Sequence, residues 1–352
     1  MKALLLNAVL VLVLVPTIGF SQDAEGAQPF RLTYEGSEGP GQGKHVVLIA
    51  GDEEYRSEEV LPMLGKILAF HHGFRCTVLF STDPETGVID PKNQTHIPGL
   101  EVLGSADMVV LFTRFRELPD ADMKHFVDYV EAGKPILGIR TATHAFNYSR
   151  NKESAYARYS FRNQEWPGGF GRRFLGETWV NHHGGHGTQS TRGIIEPYNS
   201  DHPTLRGAED VWGDTDVYGI TDLPDDALVL LRGAVLKGMQ PDSAILPGPK
   251  NAPMMPVFWV REIAREKGPA MRTACTTLGA ATDFASVGVR RIMVNSCYWG
   301  LRMEKQIPAE SEVSFVGEFK PSKFGFGRFV EGVRPEDHVW PKETDTSKAN
   351  DK

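Results

Sequence analysis

Four polar side chains follow directly on a mostly apolar run in the segment 133–146, GKPILGIRTATHAF. Residues 134–139, with Gly133 before them and Gly138 near their end, predict a buried parallel strand. The polar residues immediately after it are Arg140, Thr141, Thr143 and His144. Ligands bind at the carboxyl ends of strands in open α/β sheets, so these residues indicate a site. The structural alternative is that the threonines cap a helix and Arg140 pairs with a nearby carboxylate.

A second cluster of polar side chains lies in the glycine-rich segment 177–187, ETWVNHHGGHG, which carries His182, His183 and His186. Histidines at this spacing can ligate a divalent metal together with a carboxylate or a further histidine. They can also bind a sugar or an anion, with one histidine as general acid or base. A purely structural glycine–histidine turn is the third alternative. The sequence contains neither HExxH nor CxxC, so no known zinc motif supports the metal.

Acidic and basic residues follow two other predicted strands. Asp52 and Glu54 come after the apolar run 45–50, and Arg114 and Arg116 come after the run 106–112. A helix N-terminus would stabilise the carboxylates, which is a sufficient structural explanation. The functional alternative is that one carboxylate acts as a base or binds sugar hydroxyls, while the arginines face Arg140 across a polar cleft.

Two later segments add candidate substrate contacts. His202 precedes a proline and is therefore held in an extended conformation, as a fixed contact or as a turn residue. Asp214, Asp216 and Tyr218 alternate along a predicted strand, which places them on one face. Aromatic rings beside carboxylates suit a carbohydrate, although a solvated strand edge would show the same pattern.

The turn at 138–142 has the layout of a nucleophile elbow, but Arg140 occupies the nucleophile position. A guanidinium cannot attack a carbonyl at neutral pH, so thiol acyl transfer is not expected. Thr141 or Ser190 would need a histidine at hydrogen-bond distance to act as the nucleophile of a hydrolase. The cysteines Cys76, Cys275 and Cys297 lie in apolar contexts and predict buried free thiols, with one disulfide bridge as the alternative.

The elements that must position these residues alternate between strand and helix in the first half of the chain. Strands are predicted at 45–50, 74–80, 106–112 and 134–139, with helices ending near residues 73 and 133. This order predicts right-handed βαβ units and an α/β fold with a doubly wound, mostly parallel sheet. The later elements are expected as strands at 192–198, 217–220, 227–235, 256–263, 272–278 and 313–319 and as a helix at 287–301.

The ends of the chain differ in composition from the middle. Residues 1–21 combine Lys2, an apolar run and then the small residues Gly19 and Ser21. This composition predicts a signal peptide that is cleaved after Ser21. A retained membrane anchor is the alternative, but the run is short for a span. Residues 22–43 predict a flexible linker, 44–305 one domain, and 306–352 a partly disordered extension. We therefore expect an exported protein, periplasmic or secreted, with no stable membrane insertion after cleavage.

The overall charge restricts the partners. Loss of Lys2 with the signal peptide takes the formal net charge from -7 to -8. An acidic chain argues against a nucleic-acid partner, which would require a basic face. A small-molecule carbohydrate is the expected partner, and the sequence is compatible with a homo-oligomer.

The order of motifs over residues 44–305 resembles that of a trehalose-utilisation (ThuA-like) domain. The motifs are the GIRTATHAF segment without cysteine, the loop at 182–186, and the segments 201–203, 212–218, 256–259, 275–279 and 290–300. The resemblance implies a flavodoxin-like fold similar to class I glutamine amidotransferases, and the secreted branch of planctomycete-type bacteria. It also implies a link to sugar catabolism, beside oxidoreductases that make 3-keto-sugars. Arg140 departs from the amidotransferase pattern.

Together these features predict an exported protein that acts on a disaccharide, a glycoside or its 3-keto derivative by isomerisation, lysis or hydrolysis. His144 or His183 would be the acid or base, Asp52 or Glu54 the second carboxylate, and Arg140 with Arg114 the electrostatic clamps. A divalent metal in the histidine loop could replace the clamps. The alternative is a carbohydrate-binding or scaffolding domain without catalysis.

Overall fold

The computed structural model describes residues 31–341, and ten strands of this part form a single mixed sheet. In spatial order the strands are β1, β3, β2, β4, β5, β10, β9, β8, β6 and β7. Their bounds are β1 Leu32–Tyr34, β2 His45–Gly51, β3 Arg75–Phe80, β4 Met108–Thr113, β5 Ile136–Ile139, β6 Thr191–Ile195, β7 Trp212–Gly213, β8 Ala227–Val235, β9 Met255–Ile263 and β10 Met271–Thr276. The α-helices of this part are α1 Ser57–His72, α2 Asp120–Glu131 and α3 Val287–Gly300.

The strands β3, β2, β4, β5 and β10 run parallel, and helices cover both of their faces. Along β2, Val46 and Leu48 belong to the core layer that contains α1 and α3. Val47 and Ile49 belong to the opposite layer, which contains α2. Every residue of β2 is therefore buried, and this explains why the strand is a continuous apolar run rather than an alternating one.

The other half of the sheet is antiparallel, which corrects the expectation of a mostly parallel sheet. Strands β9, β8, β6 and β7 each pair antiparallel with their neighbours, starting from β10. Parallel neighbours need a crossover, usually a helix, whereas the chain from 191 to 276 contains only short 3₁₀ turns between its strands. The predicted strand at 217–220 does not form; Tyr218 makes a single bridge to His182.

Both ends of the described chain pack on the sheet. Residues 32–34, predicted as part of a linker, form the edge strand β1 against β3, with Leu32 and Tyr34 buried. The predicted strand at 313–319 does not form, and this segment bends at Gly317, but Val313 and Phe324 are buried in the core. The predicted signal peptide and residues 342–352 lie outside the described residues.

Two smaller predictions concern cysteines and membranes. All three cysteines are buried free thiols, as the sequence predicted. Among residues 31–341, none of the helices has the length and apolar character needed to cross a membrane.

Candidate functional site

Three parallel strands end side by side at one edge of the sheet. Gly51 of β2 is in register with Thr113 of β4, and Leu111 of β4 is in register with Gly138 of β5. The polar residues that follow these strand ends are Asp52, Glu53, Glu54, Arg114, Arg116, Arg140, Thr141, Thr143 and His144. The topology therefore brings the predicted site segments from the first half of the chain to one place.

Arg140 lies at the turn after β5 and is completely buried. Its backbone has a φ of 45°, in the left-handed region, as the strained residue of a strand-to-helix elbow does. The guanidinium carbon lies 4.0 Å from the ring centre of Tyr55 and 4.3 Å from that of Tyr218. Arg140 donates to Oδ1 of Asp216 at 2.9 Å and to the Thr277 carbonyl at 2.5 Å.

These contacts change the role expected for Arg140. Burial opposes its charge, but the rings of Tyr218 and Tyr55 and the carboxylate of Asp216 raise its pKa well above the ordinary value. The guanidinium therefore stays charged, and none of its surface is exposed to a substrate. In this structure Arg140 fixes Asp216, and its role as a direct electrostatic clamp stays a prediction.

Asp216 is the centre of the cluster. Its Oδ2 accepts from Nδ1 of His182 at 2.7 Å, and its Oδ1 accepts from Nδ1 of His186 at 3.2 Å as well as from Arg140. Burial favours the neutral acid, but the bonds from His182 and His186 and the charge of Arg140 hold the pKa of Asp216 well below its ordinary value. Asp216 is therefore a carboxylate at neutral pH.

The glycines of the histidine loop permit this close approach. A Cβ atom at Gly184 would lie 3.0 Å from the Val217 nitrogen and 3.1 Å from Cβ of Asp216. The backbone nitrogens of His183 and Gly184 both donate to the Val217 carbonyl at 2.9 Å. A side chain at position 184 would push the loop away, so glycine there holds His182 and His186 against Asp216.

His186 bridges two carboxylates. Its Nε2 lies 3.2 Å from Oε1 of Glu54, while its Nδ1 faces Asp216. Hydrogen bonds to Asp216 and Glu54 raise the pKa of His186 to about 9. The ring is therefore an imidazolium at neutral pH and supplies positive charge beside the site.

His182 is oriented differently from His186. Its Nδ1 donates to Asp216, and its Nε2 has no hydrogen-bond partner among residues 31–341. The side chain is 34% exposed and lies beside the rings of Trp179 and Tyr218, with centroid distances of 5.7 and 5.5 Å. Because Nδ1 donates to Asp216, Nε2 is the ring nitrogen left to accept a proton from a ligand.

A narrow crevice adjoins this ring. Its volume is about 20 Å³, and its lining residues are Glu54, Tyr55, Arg114, Phe115, His144, Trp179, His182 and Tyr218. Burial, together with the charges of Arg114 and Arg140, lowers the pKa of His144 well below its ordinary value, so this ring is neutral. A volume of this size accommodates about one water molecule, so a sugar would require the crevice to widen.

The C-terminal segment 320–328, here called the strap, crosses this region. The ring of Phe324 lies 5.4 Å from that of His186 and 5.6 Å from that of Tyr55. The backbone nitrogen of Gly325 donates to the Glu54 carbonyl at 2.8 Å. Phe326 is 60% exposed, and its ring lies over Arg114. The extension predicted to be partly disordered therefore closes the site in its described part.

His183 lies outside the cluster, contrary to its predicted roles as acid or base and as metal ligand. Its Nε2 lies 2.8 Å from the Lys250 carbonyl oxygen. The chain bends at His183, and the two rings face different partners, His182 towards Asp216 and His183 towards Lys250. Asp216 takes the place of His183: one ligand atom each from His182, His186 and Asp216 lie within 4.8 Å of one another. This set suits zinc or a similar divalent ion.

Several predicted contacts are buried and hold the backbone instead. Asp52 caps the turn after β2 by accepting from the Glu54 nitrogen at 2.8 Å and from the Thr141 hydroxyl at 2.6 Å. The Thr143 hydroxyl lies 3.1 Å from Nδ1 of His144. Arg116 has no exposed surface and donates to carbonyls of the segment 91–114. None of these four side chains lines the crevice described above, and the catalytic role of Asp52 and the substrate contacts of Thr141, Thr143 and Arg116 stay predictions.

The hydrolase alternative also lacks its geometry. The Thr141 hydroxyl donates to Asp52, and the Ser190 hydroxyl donates to the Gly238 carbonyl at 2.6 Å. Neither hydroxyl bonds a histidine in the part of the chain that the structure describes. The condition set for a threonine or serine nucleophile is therefore not met.

His202 lies at the opposite edge of the sheet. Its Nδ1 bonds the Thr204 hydroxyl at 2.8 Å, and its ring packs on Trp299 at the end of α3. Burial and the charge of Arg272, near the start of β10, lower its pKa to about 4. Strand starts and strand ends lie on opposite edges, so the prediction that His202 contacts the same substrate is wrong.

Sequence analysis missed two residues of the site. Trp179 lines the crevice beside His182, and its position in the same glycine-rich segment was the available signal. Glu53, the middle residue of the predicted acidic loop 52–54, was not named as a candidate; its carboxylate accepts from Arg114 at 2.7 Å and from Arg116 at 3.2 Å. Asp216 was predicted as a substrate contact, but nothing local in the sequence marks it as the shared acceptor of Arg140, His182 and His186.

Comparisons with known proteins give structural similarity without a sequence match. No family profile and no curated protein matches the chain. Among solved structures, the chain is similar to a ThuA-like protein from Bacteroides uniformis, with 14% identity, 76% of this chain and 95% of that chain covered, and a TM-score of 0.45. A ThuA-like protein from Parabacteroides merdae shows 14% identity, 83% and 98% coverage, and a TM-score of 0.46.

Proposed function

We propose that this chain is a ThuA-like protein that acts on a sugar by acid–base chemistry, with His182 as the proton acceptor. The observation that carries the proposal is the pair of His182 and Asp216 beside the crevice. The finer layout that we propose is flavodoxin-like, as in class I glutamine amidotransferases, with an arginine in place of their cysteine.

The pair provides what a general base needs. Asp216 accepts a hydrogen bond from Nδ1 of His182, so it fixes both the tautomer and the orientation of the His182 ring. The same relation orients the histidine in Ser-His-Asp sites. When Nε2 takes a proton, the carboxylate stabilises the imidazolium that forms. Arg140 keeps Asp216 ionised and fixed in place during this step.

The other residues suit an oxidised sugar. Removal of a proton beside a carbonyl leaves negative charge on oxygen, which positive groups must stabilise. Arg114 lines the crevice, and the His186 imidazolium lies against Glu54 at its border. The rings of Trp179 and Phe115 offer apolar faces of the kind that pack on sugars. We therefore propose a keto-glycoside or a related sugar as the substrate, converted by isomerisation, lysis or hydrolysis.

Substrate entry requires movement of the strap. The crevice of about 20 Å³ cannot hold a sugar ring while Phe324 packs on Tyr55 and His186. Displacement of a covering segment both admits the substrate and excludes water when the segment returns. Movement of the strap would set the rate of substrate binding without changing the role of His182 as the base.

A divalent metal is a second candidate use of the same residues. His182, His186 and Asp216 would hold it through atoms that already lie within 4.8 Å of one another. Such an ion would polarise the sugar carbonyl as a Lewis acid. Glu54 lies beside His186 and would orient that ligand from outside the coordination sphere.

The deciding experiment is turnover by the mature protein, tested on trehalose, other glucosides and their 3-keto forms with product analysis. We expect one keto-sugar to be converted, and His182→Ala to lower kcat/KM by about 100-fold or more. His183→Ala is the matched control, because its ring bonds the Lys250 carbonyl away from the cluster. Sugar binding without turnover would instead support a non-catalytic carbohydrate-binding domain.

Export belongs to the same proposal. Residues 1–21 have the composition of a signal peptide, and we propose cleavage after Ser21. N-terminal sequencing of protein recovered from the periplasm or the medium tests this. A mature chain that still begins at Met1 would contradict it.

A further inference from the structure

A cleft of about 820 Å³ lies at the edge of the sheet opposite to the candidate site. Its walls are the last turn of α2, the end of β9, the start of β10 and the segment 158–174. Helix α2 runs back along the parallel strands, so its last turn lies beside strand starts. The crevice beside His182 lies at strand ends, so the two sites are separate.

The charges in this cleft oppose the net charge of the chain. Its lining contains Arg158, Arg173, Arg261 and Arg265 but only two acidic residues, Glu131 and Glu165. The whole chain has a formal net charge of -7. An excess of guanidinium groups at one place in an acidic protein creates a local positive region that attracts anions.

Two of the four arginines are already paired with carboxylates. Arg261 is buried and bonds Asp226 at 2.7 and 3.0 Å, and Arg158 lies 3.6 Å from Glu131. Arg173 and Arg265 have no carboxylate within ion-pair distance among residues 31–341. Their charge is therefore available to a ligand.

Packing holds these two side chains in position. The guanidinium of Arg173 lies over the ring of Trp166, with 5.4 Å between the guanidinium carbon and the ring centre. Arg265 donates to the Glu131 carbonyl at 2.9 Å and lies against Gly133, where a Cβ atom would come within 2.3 Å of its guanidinium carbon. Positioned guanidiniums bind with a smaller loss of conformational entropy than free ones.

The size and surface of the cleft suit a short oligosaccharide. Volumes of several hundred Å³ are typical of small-molecule sites. Trp166, Phe174, Ile263 and Met271 add apolar surface to the arginines. The planar fork of a guanidinium matches carboxylate and sulfate groups, whereas a neutral sugar gains little from it. A long polyanion would be repelled by the rest of this acidic chain, so a short one is favoured.

We propose that this cleft binds an acidic oligosaccharide, one that carries carboxylate or sulfate groups, through Arg173 and Arg265. The site is distinct from the one beside His182 and does not depend on acid–base chemistry there. It gives the protein a second carbohydrate contact, which recognises charge.

Calorimetry on the full mature chain at low ionic strength tests the proposal. The probes are an oligogalacturonate, a sulfated heparin-derived oligosaccharide, a neutral cello-oligosaccharide, inorganic sulfate and a short single-stranded oligonucleotide. The variant is Arg173→Gln with Arg265→Gln, and the matched control is Arg75→Gln, an exposed arginine at the start of β3. Thermal unfolding of each variant verifies that it is folded.

We expect at least one acidic oligosaccharide to bind, with an affinity about tenfold or more lower in the double variant. Arg75→Gln and His182→Ala should bind as the wild type does, and the second result separates this cleft from the proposed catalytic site. The proposal would be overturned if neither acidic oligosaccharide binds, or if the double variant binds as the wild type does. It would also be overturned if the double variant loses an equally tight binding of the neutral sugar, or if inorganic sulfate or the oligonucleotide binds as tightly as the glycans.

Discussion

Nδ1 of His182 lies 2.7 Å from Oδ2 of Asp216, a carboxylate that is 1% exposed. The relation matters because the opposite side of the carboxylate is held by Arg140, which is itself fixed between two tyrosine rings. A buried chain of contacts thus extends from the turn after β5 to a partly exposed imidazole. We expect measurable consequences from this series of contacts, from the strap and from the buried carboxyl group of Glu58.

Asp216→Asn should reduce both activity and stability. The amide keeps the shape but removes the charge that pairs with the Arg140 guanidinium, and such a buried unpaired charge costs about 3–5 kcal/mol. Chemical denaturation measures the loss. The control is Asp222→Asn, because Asp222 is 78% exposed in its ion pair with Arg172 and should contribute less than about 1 kcal/mol. Similar losses in the two variants would contradict the central role of Asp216.

Zinc titration should distinguish the three histidines of the loop. His182→Ala and His186→Ala each remove a ligand and should abolish tight binding, whereas His183→Ala should retain it. The proton on His186, whose pKa is about 9, competes with the metal, so the affinity should rise as the pH rises from 6 to 9. Calorimetry at several pH values measures both effects. Retained affinity in His186→Ala would exclude the proposed ligand set.

Glu58 should make the protein less stable as the pH rises. Both carboxyl oxygens are buried without a hydrogen-bond partner, and burial raises the pKa from 4.5 to about 8. Between these values the unfolded carboxyl is ionised while the folded one keeps its proton, so the free energy of unfolding falls with pH.

Glu58→Gln should remove that slope and stabilise the protein above pH 8 by up to about 5 kcal/mol, since each pKa unit corresponds to about 1.4 kcal/mol. Denaturation curves at pH 5, 7 and 8.5 provide the measurement. Glu101→Gln is the control, since this side chain is 48% exposed on the surface. An unchanged pH slope in Glu58→Gln would show that another group is responsible.

Phe324→Ala should release the strap while the fold persists. The ring is 5% exposed and packs on Tyr55 and His186, so its loss removes the main apolar contact of this segment. Amide exchange at Gly325, whose nitrogen donates to the Glu54 carbonyl, should accelerate by about tenfold or more. Hydrogen exchange followed by mass spectrometry tests this. Phe326→Ala is the matched control, because that ring is 60% exposed; equal acceleration in both would refute the role of Phe324.

The sequence predicted local structure well because local structure follows from periodicity. The apolar runs of β2, β4 and β5 and the helical spacing of α1, α2 and α3 were visible without tertiary information. The elbow at Arg140 and the absence of a nucleophile there were also clear. The antiparallel half was missed, although only eight residues separated the predicted strands 256–263 and 272–278, too few for a parallel crossover.

Only the tertiary structure decided which of the candidate residues work together. From the sequence, the neighbouring His182 and His183 were both candidate metal ligands. In the structure, the backbone turns His182 towards Asp216 and His183 towards Lys250. The sequence also offered Arg140 as a clamp, but the tyrosines that enclose it lie 85 and 78 residues away along the chain. Hydrophobic periodicity and composition depend on a residue's neighbours in the sequence. Burial, charge pairing and access to solvent depend on segments that meet only after the sheet has formed.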